Sequence, residues 1–571
     1  MGDLKKTFLA GFAVLIILLF APYYLEFIGY NVSSEEVVAE ETILPSENNQ
    51  KTQPITAEPM VVQSSNLSKQ PTNVHAIQTP LYSVVVSNVG GGSIQKLSLA
   101  SQQQFIGGYV SDGNYQKTEG AELVSNTGGC APCVGYYDLN NQPHVLNNAD
   151  WKTHNSSHSI SLENSPIILS VENIFSVEYF YQLSKTTTIF KKTILNGENF
   201  VSNHEIYIQS SDNSIKKVFL FWDKGINNTE QNVYDELTYA SASFSVNQEI
   251  ETISFSPDDI NDTFDDAMGK SGSVDWASIR NKYFIAAFIP NNASSVKIDA
   301  TASILNNNTV PVYSALLSSE TSSELACRLF LGPLDIDQIN ALDTTLDRIM
   351  NFGWFIIQPF SRGVLWLLKL LHSTGLNYGV ILILFAFIVR IITGPLTKKA
   401  FVSSQQMQAV QPKLKKLQEK YKNDSKKLNQ EMIKLYRDNN VNPAGGCFPM
   451  LLQMPLLFSL FLVFRSTIEF RGAPFFGWIS NLSQPDTIFY LPFHIPIYGD
   501  QVAFLPILLG ISMFLTQKMS MANMDSQQKP MMYIMSAFFF LIFNSFPSGL
   551  NLYYLIYNIL NYFQQRSLKK A

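Results

Sequence analysis

Residues Gly379–Thr397 read GVILILFAFIVRIITGPLT. Apart from Arg390, the stretch is apolar enough to cross a bilayer as a helix. At ~1.5 Å per residue, Arg390 lies roughly 12 Å from Lys398 and Lys399, which follow the stretch. Its backbone therefore falls within hydrocarbon, where an arginine costs about 2.5–3.5 kcal/mol on insertion scales. Two readings are open from this segment alone. The guanidinium snorkels to the headgroups, or it faces a polar cavity inside the membrane.

Downstream of this helix, which the Gly394-Pro395 pair is expected to end, residues 398–443 carry 11 Lys/Arg against four Asp/Glu. Met407, Val410, Leu414, Leu417 and Tyr421 recur at helical spacing, and Leu428, Met432 and Leu435 resume the stripe after Asn423-Asp424-Ser425. The pattern predicts a basic antiparallel helical hairpin, cytoplasmic by the positive-inside rule. Its charge reads either as a solvated surface or as a docking surface for ribosomal RNA, anionic lipid or a nascent chain, with Lys413, Lys415, Lys416 and Lys420 the candidates for capturing a substrate chain.

Four further spans are expected within 444–571: Cys447–Phe464, Val502–Thr516, Pro530–Phe543 and Leu550–Phe563. An external loop covers 471–500, and a short inner loop holds Met519, Met521 and Met524, whose adaptable side chains suit varied apolar helices. The spans from 502 and 530 hold only about 15 apolar residues where about 20 are needed, which predicts local bilayer thinning. Gln453, Asn551, Tyr554, Asn558 and Asn561 are polar positions within the bundle. Each reads as a helix–helix hydrogen-bond partner. Together with Arg390, the short spans and the lack of an intramembrane carboxylate, they favour the cavity.

Upstream, FGWFIIQPFSRGVLWLLKLLHS, in 337–375, places Arg362, Lys369 and His372 near one helical face. That suits an amphipathic helix in the outer interface. Residues 81–336 are rich in short strand patterns. YSVVVSNVGGGSIQKLSL reads as strand, glycine turn, strand, and Asn196-Gly-Glu-Asn199 separates two strand runs. A large antiparallel β-sandwich is expected. Residues 26–80 lack Phe, Tyr and Trp from Asn31 onward and read as a flexible linker. Residues 1–25, with Lys5 and Lys6 before an apolar run, read as a retained signal anchor.

Charge follows the same division. Residues 26–350 carry 17 Lys/Arg and 37 Asp/Glu, net −20, and the rest carry 23 and 9, net +14, which sums to −6. The basic residues flank membrane segments, so the pattern is not a nucleic-acid footprint. Four cysteines make no disulfide framework. Cys130-Ala-Pro-Cys133 reads as a local structural disulfide or as an unlinked pair more readily than as an exchange site. His154 and His158 read as a surface pair, not a metal site. No predicted span holds a His or a carboxylate facing Arg390, and no GxxxxGK[ST] occurs. This excludes metalloprotease, serine–histidine and nucleotide-hydrolysing sites. No catalytic residue, cofactor or metal is expected.

The segments FIVRIITGPLTKKAF (Phe387–Phe401), NPAGGCFPMLLQMP (Asn442–Pro455) and FPSGLNLYY (Phe546–Tyr554) closely resemble the YidC/Oxa/Alb membrane protein insertase family. The anchor and large exported domain resemble its Gram-negative YidC type. The resemblance implies a membrane α-helical bundle of six spans, five forming the insertase core, and a periplasmic all-β supersandwich like that of sugar mutarotases. It implies a non-enzymatic insertase and chaperone of the bacterial inner membrane, with both termini cytoplasmic. Its partners are nascent membrane proteins, the Sec translocon with its accessory subunits, the ribosome and membrane lipids, with no nucleotide. Arg390, Gln453 and Tyr554 match the family's groove positions, with Asn558 beside them. Ala386 departs from a polar Thr often found a turn before the arginine. Two other readings stay open: a membrane transporter, and a sugar-binding membrane-anchored protein.

Overall fold

The computed structural model describes residues 74–101, 109–111, 119–125, 130–147, 149, 151–158, 165–212, 214–256, 265–305, 308–319, 323–422, 424–439, 448–495, 498–521 and 537–570. The signal anchor and almost all of the linker lie outside them. The chain divides into two compact units, one ending at Met350 and the other beginning at Asn351.

The first unit is built of sheets. A nine-stranded antiparallel sheet runs from Glu249–Ser254 through Ser241–Val246, Val274–Arg280, Phe284–Pro290, Glu324–Pro333, Val201–Ser210, Thr187–Asn196 and Ile174–Gln182 to Lys152–Ser156. A six-stranded sheet, with the long Ala293–Leu305 and Asn308–Ser319 strands near its middle, packs against it. Strands buried on one face alternate apolar and polar residues. Here the inward residues are large: Trp222 of the smaller sheet meets Phe288 of the larger one edge-on, 5.5 Å apart. Phe244 of the larger sheet is fully buried on the same face as Phe288.

A third, five-stranded sheet holds the expected glycine turn. Tyr82–Ser87 pairs antiparallel with Ser93–Leu99, and Gly90, Gly91 and Gly92 between them all have positive φ. A Cβ on Gly90 would stand 2.3 Å from Cys133 Sγ, so the turn requires glycine twice over. Cys133 and Cys130 form a disulfide and are both buried, which removes them from thiol exchange with a second protein. His154 and His158 are exposed, and His154 Nε2 lies 3.7 Å from Glu178.

Two boundaries differ from expectation. Val74–Gln78, inside the expected linker, is a strand paired with Tyr82–Ser87. Its short VHAIQ run is hidden by polar neighbours, yet His75, Ala76 and Ile77 are buried. At the other end the sheet unit reaches Met350, not 336. Leu342 and Leu346 are buried, and Arg280 Nη1 donates to Ile349 O at 2.8 Å.

The second unit is mainly helical: α1 (Gln358–His372), α2 (Tyr378–Lys420), α3 (Ser425–Asp438), α4 (Phe448–Ser466), α5 (Phe504–Met521) and α6 (Ser548–Lys570), with residues 537–543 also helical. The expected stop at Gly394-Pro395 is overturned, because α2 continues through Pro395 and Pro412 for 43 residues. Proline removes one backbone donor and disfavours the helix. The α6 helix packs alongside this stretch, so tertiary contacts override the local preference. The loop after α4 also differs. It contains a two-stranded hairpin, Thr487–Ile495 against Gly499–Ala503, and α5 starts at Phe504, not Val502.

Candidate functional site

Arg390 sits in the thirteenth position of α2 and is buried, while its neighbours Ile391 and Ile392 are exposed. The helix thus presents aliphatic side chains outward and its cation inward, the reverse of a helix stable in water. Tyr378–Lys399 is the one described segment long and apolar enough to cross a membrane; Met454–Ser466 and Phe504–Lys518 are shorter apolar helices.

The inward face of α2 meets α6. Tyr557, Asn561 and Gln564 lie at i, i+4 and i+7 and therefore share one face. Arg390 Nη2 donates to Asn561 Oδ1 at 2.8 Å and also to Gln564 Oε1. Nη1 donates to the Tyr557 hydroxyl at 3.4 Å, and the guanidinium stands 5.4 Å from the Tyr557 ring centroid, within cation–π range. Gln564 Nε2 donates in turn to Gly394 O at 3.3 Å, tying the two helices beside the arginine.

No carboxylate meets Arg390 among the described residues. Glu469, just beyond α4, pairs instead with Lys369 of α1 at 3.2 Å. The arginine is hydrogen-bonded by neutral groups, which orient it without cancelling its charge. Arg390 Nε and the hydroxyls of Tyr553 and Tyr554 are buried and have no hydrogen-bond partner among the described residues. In a dry interior each such group costs free energy.

Of the expected site residues, Tyr554 lies a turn before Tyr557 with its ring 5.7 Å from Phe543, and it does not bond Arg390. Asn558 is half-buried on a neighbouring face of α6. Asn551 donates to Phe543 O and Phe546 O, closing the end of the 537–543 helix. Gln453 lies on α4, and Met519 and Met521 lie at the end of α5; the side chains of all three fall outside the described residues, as does Met524. Tyr557 and Gln564 escaped sequence reading. Their signal was the polar i, i+4, i+7 repeat with Asn561 along one face of α6.

In the hairpin, Val410, Leu414 and Leu428 are buried between α2 and α3. Lys413 Nζ donates to Asn439 Oδ1 across the pair at 3.1 Å. Lys415, Lys416 and Lys420 project outward with Lys413.

Fold and site together define a membrane protein with a sheet-built domain and helices that enclose an arginine with no carboxylate partner among the described residues. The family described as 60Kd inner membrane protein matches residues 369–571, and that described as YidC periplasmic domain matches residues 75–367. The chain belongs to the YidC family of membrane protein insertases. The "Membrane protein insertase YidC" of Prosthecochloris aestuarii is 35% identical over 422 residues, 72% of this chain and 71% of that one. That of Chloroherpeton thalassium is 33% identical over 510 residues, 86% of this chain and 81% of that one. A solved structure titled as an active YidC insertase with its first transmembrane domain resolved aligns over 97% of both chains, with 17% identity and a TM-score of 0.33.

Proposed function

We propose that this insertase works through a hydrated groove whose floor is Arg390, in a six-span inner-membrane chain with both termini cytoplasmic and its sheet domain periplasmic. Five of the spans form the insertase core. One observation carries the reading: a membrane-depth arginine is hydrogen-bonded by neutral side chains of α6 while other polar atoms around it are unsatisfied. Water and polar substrate segments satisfy such groups.

A substrate's hydrophilic segment must cross ~30 Å of hydrocarbon. A polar groove part-way across shortens that path, and thinning by the short spans shortens it further. Arg390 attracts acidic residues of the passing segment. The substrate's apolar helix then moves sideways into lipid, favoured by roughly 25 cal/mol per Å² buried. No covalent step is needed. Tyr554, Asn558 and Gln453 line the route. The exposed lysines of the hairpin receive the chain first, and the methionines at and after the end of α5 accept varied apolar helices. The Sec translocon, the ribosome and membrane lipids are the assembly's other partners.

The test is insertion of a single-span substrate with an acidic exported tail into vesicles containing the full chain. Arg390→Ala is expected to slow insertion roughly tenfold, because a charged hydrogen bond is worth about 1.5–3 kcal/mol. Arg390→Lys falls between, since an ammonium keeps the charge but not the fork. Unchanged insertion in the alanine variant refutes the charge role.

A further inference from the structure

The hairpin between α4 and α5 has a fixed root and a bare blade. At the root, Asn544 accepts Ala503 N at 3.0 Å and donates to Tyr498 O and Gln501 O at 2.8 and 2.6 Å. Asp486 Oδ2 accepts from Trp478 Nε1 and from Leu505 N, both at 2.8 Å. The blade, Thr487 to Gly499, reads TIFYLPFHIPIYG and contains no Lys, Arg, Asp or Glu.

A strand packed on a core hides one face and shows polar residues on the other. Here the consecutive residues Ile488, Phe489 and Tyr490 are 49%, 51% and 69% exposed, and Phe493 is 60% exposed. Successive strand residues point to opposite faces, so apolar side chains are exposed on both faces of the Ile488–Tyr490 stretch. Phe476, in the same connection, is 83% exposed.

The hairpin is also continuous with the surface expected to meet lipid. Strand Gly499–Ala503 passes directly into α5 at Phe504, and the exposed side chains of that apolar helix include Ile511, Phe514 and Leu515. We propose that the 487–503 hairpin is a lipid-docking blade that lies in the headgroup–acyl boundary of the extracytoplasmic leaflet. This rests on the topology proposed above.

Its depth is bounded on both sides. A two-stranded hairpin leaves unpaired backbone groups along its outer edges, which hydrocarbon does not tolerate, so the blade does not enter the bilayer centre. Tyr490 and Trp478 have the amphipathic rings that settle at headgroup level, while Phe489 and Phe493 reach the acyl boundary. With no Lys or Arg in the blade, docking draws on apolar area and not on anionic headgroups.

The experiment uses the full chain in vesicles of phosphatidylethanolamine and phosphatidylglycerol, with Cys327 and Cys447 replaced by alanine. Spin labels are placed singly at Phe489→Cys, Phe493→Cys and Asp500→Cys. The expected result is strong relaxation by oxygen and weak relaxation by a water-soluble nickel chelate at 489 and 493, with the order reversed at 500. Replacing phosphatidylglycerol by phosphatidylcholine leaves that pattern in place. Dominant nickel access at 489 and 493 puts the blade in water and overturns the proposal. Exclusion of both reagents means that protein covers it, a second copy or another chain, and overturns it equally. A membrane-impermeant thiol reagent added outside must react with Asp500→Cys; failure there sinks the topology, independently of the depth measurement.

Discussion

Arg390 is oriented by two side-chain amides and a phenol, so its position is fixed while its charge stays available. A carboxylate partner would have fixed the position and removed the field. The arginine itself was legible in the sequence as a cation in an apolar run, and so was Asn561. Tyr557 and Gln564 were not, because which face of α6 meets α2 is a property of packing. Tyr554 and Asn558, read as groove residues, stand on α6 without bonding Arg390. A second residue near the start of α2 is constrained by close approach. A Cβ on Gly379 would stand 1.9 Å from Phe475 Cδ2. Gly379→Ala is expected to destabilise the helical unit by about 1–3 kcal/mol through overpacking. Thermal unfolding of the full chain in detergent measures it.

Among the elements, the apolar stripe of the basic hairpin was readable from spacing alone, and α3 starts where the Asn-Asp-Ser signal placed a break. Asp424 is its N-cap, accepting from Lys427 N at 3.0 Å. Asp424→Ala is expected to cost about 1 kcal/mol of local stability. The measurable result is faster amide exchange in the first turn of α3, roughly fivefold, with exchange in α4 unchanged. Pro395 misled because a proline rule is local, whereas the helix is held by packing against α6. The blade was missed for the opposite reason. It falls inside the expected external loop, where its Thr-Ile-Phe-Tyr run is a strand signal that Pro492 and the lack of polar alternation weaken.

Across the whole molecule, the acidic, strand-rich part and the basic, apolar part were separable by composition. The depth of the sheet domain's buried charges was not. Lys191 is fully buried, with Nζ donating to Pro132 O at 2.7 Å beside the disulfide. Burial pulls its pKa down from 10.5 to about 7. Between those values the unfolded chain binds the extra proton, so stability rises with pH across that window, and the cost of the buried charge is fully present below about pH 7. Glu236 is pushed up to about 7 by burial and by Glu230. Its contribution is fully present below about pH 4.5 and is lost as pH rises to 7. The domain therefore carries both costs near neutrality. Lys191→Met is expected to gain on the native domain at pH 7 and lose that advantage by pH 9.5. Melting temperatures of residues 74–350, wild type against variant, give the comparison. A pH-independent difference between the two would contradict the assignment to Lys191.

The unbroken course of α2 also has a mechanical meaning. At ~1.5 Å per residue its 43 residues span roughly 65 Å. Arg390, pinned by α6, divides the rod into arms of roughly 18 Å and 45 Å. With Arg390 as the pin, any displacement of the long end moves the short end the opposite way by less than half the distance. The hairpin is then a handle: it gears a large displacement at its end down to a small one at the other. Pro395, just past the pin on the long arm, is where the rod bends first under excess load.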